Sequence, residues 1–217
     1  MTYSVKEMFY TLQGEGFHTG RPAVFCRFTG CNLWSGREQD RQTAICQFCD
    51  TDFVGTDGQN GGKFKQPEQL AQRIDQFWPA EQGQKFVVFT GGEPALQLDE
   101  TLIDAMHQVG FECAVESNGT LPLPGNLDWV CISPKGRSDV VIERCNELKL
   151  VYPQTEAMPE RFSGIQADYR YLSPRNNHQE NTIVPGNNAN TAKCIQYCLE
   201  NPDWRLTLQS HKVLNID

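Results

Sequence analysis

This 217-residue chain has no stretch approaching the roughly 18 consecutive apolar residues of a membrane-spanning helix, which excludes a helical membrane anchor. It also has no basic cluster. Lys and Arg number 19 against 27 Asp and Glu, giving a net charge of −8 and a pI near 5.0. Nucleic acid is therefore excluded as a direct ligand, because neutralising phosphates needs a basic face. The amino terminus, Met1-Thr-Tyr-Ser-Val-Lys6, lacks the apolar run of a secretory signal, so a cytoplasmic location is expected. Internal repeats and Pro/Gly-rich linkers are missing too, and one domain over 1–217 is expected, large enough for a substantial core. The chain falls short of the about 250 residues of a complete eight-unit βα barrel. Any barrel here must be a shortened one.

Cysteine, in contrast, is plentiful. The nine stand at 26, 31, 46, 49, 113, 131, 145, 194 and 198. In a cytosolic chain that number is not a disulfide framework. Cys26, Cys113 and Cys131 lie in apolar strand-like runs and read as small buried hydrophobes. Cys194 and Cys198 are spaced i, i+4 on a predicted helix, without a third ligand nearby.

The elements alternate. Strands are predicted at 23–28, 86–90, 113–116, 129–133, 147–151, 169–172 and 205–209. Helical stripes run through Leu70, Ile74, Phe77 and Trp78 after Pro67, and through Leu98, Leu102, Ala105, Met106 and Val109 up to Gly110. A last helix is predicted over 191–200, and the asparagine-rich stretch 176–190 reads as a surface loop. Alternation of this kind means an α/β fold with a mostly parallel sheet. Such folds keep chemistry at the carboxyl ends of strands. Cys31, Thr90, Glu116, Ser133 and Ser173 all fall there.

Two signals carry the function. Cys31, Cys46 and Cys49 are spaced C-x14-C-x2-C, and Thr90-Gly-Gly-Glu-Pro94 leaves the apolar strand that begins at Lys85. Three thiols are one short of a structural zinc set, which on spacing alone His18 or Asp50 would complete. Three thiolates also hold an iron–sulfur cluster with one iron free for another ligand. The glycine pair allows close backbone approach, and Glu93 offers a carboxylate in the same turn. Together they point to a cluster that binds and reductively cleaves S-adenosylmethionine.

This pair resembles the radical-SAM superfamily, whose usual triad is C-x3-C-x2-C; here the first gap is enlarged, giving a long cluster loop at about 31–49. Further segments sharpen the likeness: Phe9-Tyr-Thr-Leu-Gln-Gly-Glu-Gly16, Arg21–Arg27, Gly30-Cys-Asn-Leu-Trp34, Cys46–Asp52, Ser133-Pro-Lys135, Asn146-Glu-Leu-Lys149 and Gln209-Ser-His-Lys212. In order and spacing the whole chain is similar to the 7-carboxy-7-deazaguanine synthase family of queuosine biosynthesis. One segment departs: Ser173-Pro174-Arg175-Asn176 stands where the family commonly has Gln-Pro.

The resemblance implies a shortened, incomplete βα radical-SAM partial barrel. It implies conversion of 6-carboxy-5,6,7,8-tetrahydropterin to 7-carboxy-7-deazaguanine with loss of ammonia, through a 5′-deoxyadenosyl radical that removes and later returns hydrogen. A 4Fe–4S cluster would sit on Cys31, Cys46 and Cys49, and Mg²⁺ on the Thr51 hydroxyl. S-adenosylmethionine would contact Phe48, Cys49, Asp50, Gly92, Glu116, Ser133, Pro134, Lys135, Ser173, Pro174, Arg175 and Asn176. Substrate would meet Leu12, Gln13, Gly14, Glu15, Arg27, Thr90, His211 and the terminal carboxylate of Asp217. A homodimer and a flavodoxin-type reductant are the partners it implies. Two other readings share part of the pattern: an activase making a glycyl radical on a partner protein, and a zinc-stabilised binding module.

Overall fold

A computed structural model describes residues 2–79, 83–176 and 189–216. Among these, nine strands form one sheet in the order β3-β1-β2-β4-β5-β6-β7-β8-β9. β1 (Tyr3–Leu12) runs antiparallel to both β2 (Pro22–Phe28) and β3 (Gly62–Phe64). From β2 onward every neighbouring pair is parallel: β4 (Lys85–Gly91), β5 (Phe111–Ser117), β6 (Trp129–Ile132), β7 (Arg144–Tyr152), β8 (Gln166–Pro174) and β9 (Trp204–Leu206). β3 and β9 end the sheet on opposite sides and do not pair with each other, so the barrel stays open as expected.

Period-two alternation sorts each strand into two faces. Val24, Cys26 and Phe28 of β2, Val87 and Phe89 of β4, and Cys113 and Val115 of β5 pack outward. They meet Leu70 and Ile74 of α1 (Pro67–Asp75) and Leu102 and Met106 of α2 (Glu100–Gln108). Burying each such aliphatic or aromatic side chain contributes about 1.5–3 kcal/mol. Leu148, Leu150 and Leu172 do the same against Cys194 of α3 (Ala189–Glu200). The opposite face starts apolar, with Ala23, Phe86, Val88 and Ala114, then turns polar toward the carboxyl ends. Arg27, Thr90 and Glu116 follow Ala23, Phe86 and Ala114 in the same parity. The helices thus cover one face, and the other is left to hold a site.

The structure corrects several sequence expectations. β1 precedes and pairs with what reads as the first strand, so Cys31 follows the second, and β3 extends the sheet beyond β1. Phe77 and Trp78 lie beyond the end of α1, Leu98 before α2 and Val109 after it, although all still pack on the core. The predicted strand 205–209 is only Trp204–Leu206, and the chain then turns into a short helix, α4 (Ser210–Leu214). α3 begins at Ala189, inside the predicted loop, most of which (177–188) lies outside the described residues.

Candidate active site

The triad is assembled by one long loop and two strand ends. Gly30 takes φ +86° after β2 and delivers Cys31. The loop folds back through Ile45 and Cys46, whose N–H groups donate to Leu33 O at 3.1 and 3.3 Å. Arg41 ties it from within: its guanidinium lies 4.0 Å over the Trp34 ring and donates to Cys49 O at 3.0 Å. The enlarged gap is therefore an ordered clasp around the triad. Cys31 is pushed up by burial, relieved in part by bonds from Leu33 and Trp34. The Cys46 thiol donates to Cys49, which brings Cys49 down to about 6 and holds Cys46 itself well up.

The glycine pair is needed for proximity. A Cβ on Gly91, at φ +150°, would lie 2.4 Å from Phe28 O; one on Gly92 would lie 2.3 Å from Gly30 O and 2.7 Å from Cys31 Cβ. β4 therefore ends in backbone contact with the Cys31 turn. Glu93 departs from the sequence expectation of a carboxylate facing a ligand. It is fully buried and accepts from Ala95 N, Ser117 Oγ and Asn118 N at 2.8–2.9 Å. Its work is to fasten β4 to β5. Asn118 in turn bonds Asn32 beside Cys31 at 2.9 Å.

Two adjoining cavities result. The first, about 180 Å³, is lined by all three thiols together with Asp50, Gly92, Glu116, Ser133, Lys135 and Ser173. The second, about 340 Å³, brings together Leu12, Gln13, Gly14, Glu15, Arg27 and His211. Glu15, Asp50, Thr51, Thr90, Glu116 and Gln209 line both and form a common wall. Phe48, Arg175 and Asn176 lie instead on a neighbouring open cavity of about 1070 Å³, where the Arg175 guanidinium stands 6.0 Å from the Phe48 ring. Pro134 and Pro174 line none of these three cavities. Asp217 lies outside the described residues.

The common wall is highly charged. Lys149, buried on β7, pairs with Glu15 at 2.8 Å and Glu116 at 3.2 Å. Burial alone would raise the Glu15 carboxyl, but Lys149, His211 and Ser173 hold it below its ordinary value. Gln13 Nε2 donates to Glu116 at 2.9 Å, while its Oε1 accepts from Glu15 N at 3.1 Å. Arg27 donates through Nε to Glu7 at 2.7 Å. α4 closes the second cavity: Ser210 bonds Gly14 O through N and Oγ, and Lys212 pairs with Asp50. Burial pushes the His211 imidazole below its ordinary value, partly offset by Glu15.

Lys149, Gln209 and Lys212 are the residues that sequence reasoning left without a role. The signal was present for Lys149, a lysine set between Leu148 and Leu150 in the strand's apolar second half, because such a lysine is buried only when paired. The zinc alternative loses its fourth ligands. His18 sits among Phe17, Phe86 and Trp129, and Asp50 is engaged by Lys212. All three thiols line one cavity without a histidine among its walls, and three cysteine thiolates are the donor set that holds an iron–sulfur cluster with one iron left open.

A clasp of three thiols at the carboxyl edge of an open parallel sheet, against a Gly-Gly turn, defines a radical-SAM enzyme, and the family model described as Radical SAM superfamily matches residues 43–151. Relatives narrow this further. The chain is 56% identical to the 7-carboxy-7-deazaguanine synthase of Bordetella pertussis and 52% identical to that of Burkholderia multivorans, over the full length of each. A solved structure titled "Crystal structure of QueE from Escherichia coli" superposes with a TM-score of 0.70 at 29% identity, covering 96% of this chain and 94% of that one. The chain belongs to the 7-carboxy-7-deazaguanine synthase family. Nothing in these likenesses favours the glycyl-radical activase.

Proposed function

We propose that the protein converts 6-carboxy-5,6,7,8-tetrahydropterin to 7-carboxy-7-deazaguanine and ammonia, with Cys31, Cys46 and Cys49 holding a 4Fe–4S cluster. The observation that carries this reading is the common wall. A thiol-lined cavity and a cavity rich in amide, carboxylate and guanidinium groups share six residues, so a group bound in one reaches a molecule bound in the other. When bound and reduced, the cluster supplies the electron that splits S-adenosylmethionine and starts the radical chemistry at the pterin C6.

The protein's own residues bind and orient. Asp50, Gly92, Ser133, Lys135 and Ser173 face the cofactor's cavity, with Phe48, Arg175 and Asn176 on the open side for its remainder. Glu15 and the Gly14 backbone address the pterin's amide and amino edge, steadied by Gln13. Arg27, steadied by Glu7, suits the substrate carboxylate, because a guanidinium matches carboxylate geometry. The Thr51 hydroxyl on the common wall would offer an oxygen ligand to Mg²⁺, a cation that would balance the substrate's charge there. The family likeness supports a homodimer, a flavodoxin-type reductant and a cytoplasmic setting. No described helix is long and apolar enough to cross a membrane.

Anaerobic incubation of reconstituted protein with the carboxy-pterin, dithionite and S-adenosylmethionine, followed by mass spectrometry, tests this. The deazaguanine acid with matching ammonia release is expected. Cleavage of S-adenosylmethionine with the pterin left unchanged overturns the reading.

A further inference from the structure

Two carboxylates from distant parts of the sequence converge on one buried ammonium. The Lys149 side chain is 4% exposed, against 15% for Glu15 and 24% for Glu116. Burying a lysine is costly and an apolar residue would pack β7 as well, so the pair is a poor device for stability alone. Its position is informative. Both carboxylates belong to the wall shared by the two cavities, and Lys149 lines only the thiol-side cavity. Each Glu15 oxygen has its own partner: Oε2 takes Lys149, and Oε1 accepts from Ser173 Oγ at 3.2 Å.

We infer that Lys149 is a positioning residue, which holds Glu15 ionised and in one orientation on the wall between the cavities, as the acceptor for the nitrogen-rich edge of the pterin, with Glu116 fixed beside it. The inference rests on the functional reading above. A pterin's amide and amino edge presents N–H donors, which an ionised carboxylate accepts and a protonated one meets with a donor of its own. The charge state of Glu15 therefore decides binding. The groups facing it are Lys149 from β7, His211 from α4, Ser173 from β8 and Glu116 from β5. Facing Lys149 are Glu15, Glu116, Glu147 and Cys131. Burial works against charge on Glu15, and Lys149 is the strongest group that opposes it. Without Lys149 the burial effect prevails, the Glu15 carboxyl moves up, and binding shifts to higher pH.

The test is anaerobic calorimetric titration of the carboxy-pterin into cluster-reconstituted protein with S-adenosylmethionine, from acidic to alkaline pH. For Lys149→Met the dissociation constant is expected to rise about 10- to 100-fold at neutral pH, the loss of one charge-assisted contact, and to recover as pH rises. Iron content should stay at the wild-type level, and S-adenosylmethionine is kept saturating throughout, because Lys149 lines its cavity and holds Glu116. The double variant Lys149→Met/Glu15→Gln should bind weakly at every pH, since no group remains to titrate. Should Lys149→Met not fold, Lys149→Gln keeps a donor, drops the charge and carries the same expectation. A Lys149 variant with wild-type affinity and pH profile overturns this inference alone, as does a loss that no pH recovers. Wild-type protein that ignores the pterin overturns the functional reading with it.

Discussion

Replacing Gly92 by Ala adds one methyl group at the point where β4 meets the Cys31 turn. The new carbon would stand 2.3 Å from Gly30 O and 2.7 Å from Cys31 Cβ. Reaching even a 3.0 Å separation from that oxygen requires the two backbones to part by about 0.7 Å, and neither atom is the free end of a flexible side chain. The parting strains the Glu93 N bond to Gly30 O, 2.9 Å long, and the Gly92 N bond to Phe28 O. Overpacking costs about 1–3 kcal/mol, and a weakened backbone bond adds about 0.5–1.5 kcal/mol. A total of about 2–4 kcal/mol lowers the melting temperature of a chain this size by roughly 5–15 °C. Cys31 moves with the turn, so iron content after reconstitution should fall too. Gly164→Ala is the control, because its Cβ meets nothing within 4 Å and its φ is not left-handed. It should melt at or slightly above the wild type. Thermal unfolding and iron assay of both variants decide it. A Gly92→Ala protein with wild-type melting and full iron would refute the close-approach argument.

Three further outcomes follow from the same geometry. Cys31→Ala should lose the brown iron–sulfur absorbance and all turnover, whereas Cys194→Ala, at a thiol buried against β7 and β8 and remote from the triad, should keep its iron and melt only somewhat earlier; full activity in Cys31→Ala would remove it from the ligand set. Thr51→Ala should blunt the response of the rate to added Mg²⁺ while calorimetry shows S-adenosylmethionine bound as before; equal loss of both would make Thr51 a structural hydroxyl. Burial raises the Glu147 carboxyl, so its contribution to stability is present below the ordinary carboxylate range and is lost as pH rises through the raised value. Glu147→Gln should therefore gain melting temperature over wild type at alkaline pH and little at acidic pH, and a pH-independent difference would contradict that sign.

How much of this was legible in the sequence depended on the physics of each piece. β2 and β4 are buried on both faces, so they stand out as continuous apolar runs. The triad and the Gly-Gly turn are local strings and needed no folding to be seen. β1 hid because a bulge between Val5 and Glu7 breaks its alternation, and α4, five residues long, is too short to show a helical period. Glu93 was misjudged since its donors, Ser117 and Asn118, come from another strand. Lys149 shows no role in the linear sequence, because Glu15 and Glu116 reach it only once β1, β5 and β7 share a sheet.

The bonds from Ser210 to Gly14 O and from Lys212 to Asp50 link positions separated by 196 and 162 residues. At about 5–20 residues per second of synthesis, the early half of each pair waits roughly 8 to 40 seconds for its partner. Cys31, Cys46 and Cys49 emerge near the beginning of that interval, and α4 near its end. During translation the neighbouring cavity, which α4 closes, is thus open long after the loop carrying all three thiols has emerged. The polypeptide's order of manufacture therefore separates the two halves of the site in time: the thiol clasp is laid down first, and the wall of its neighbour is finished only by the last residues made.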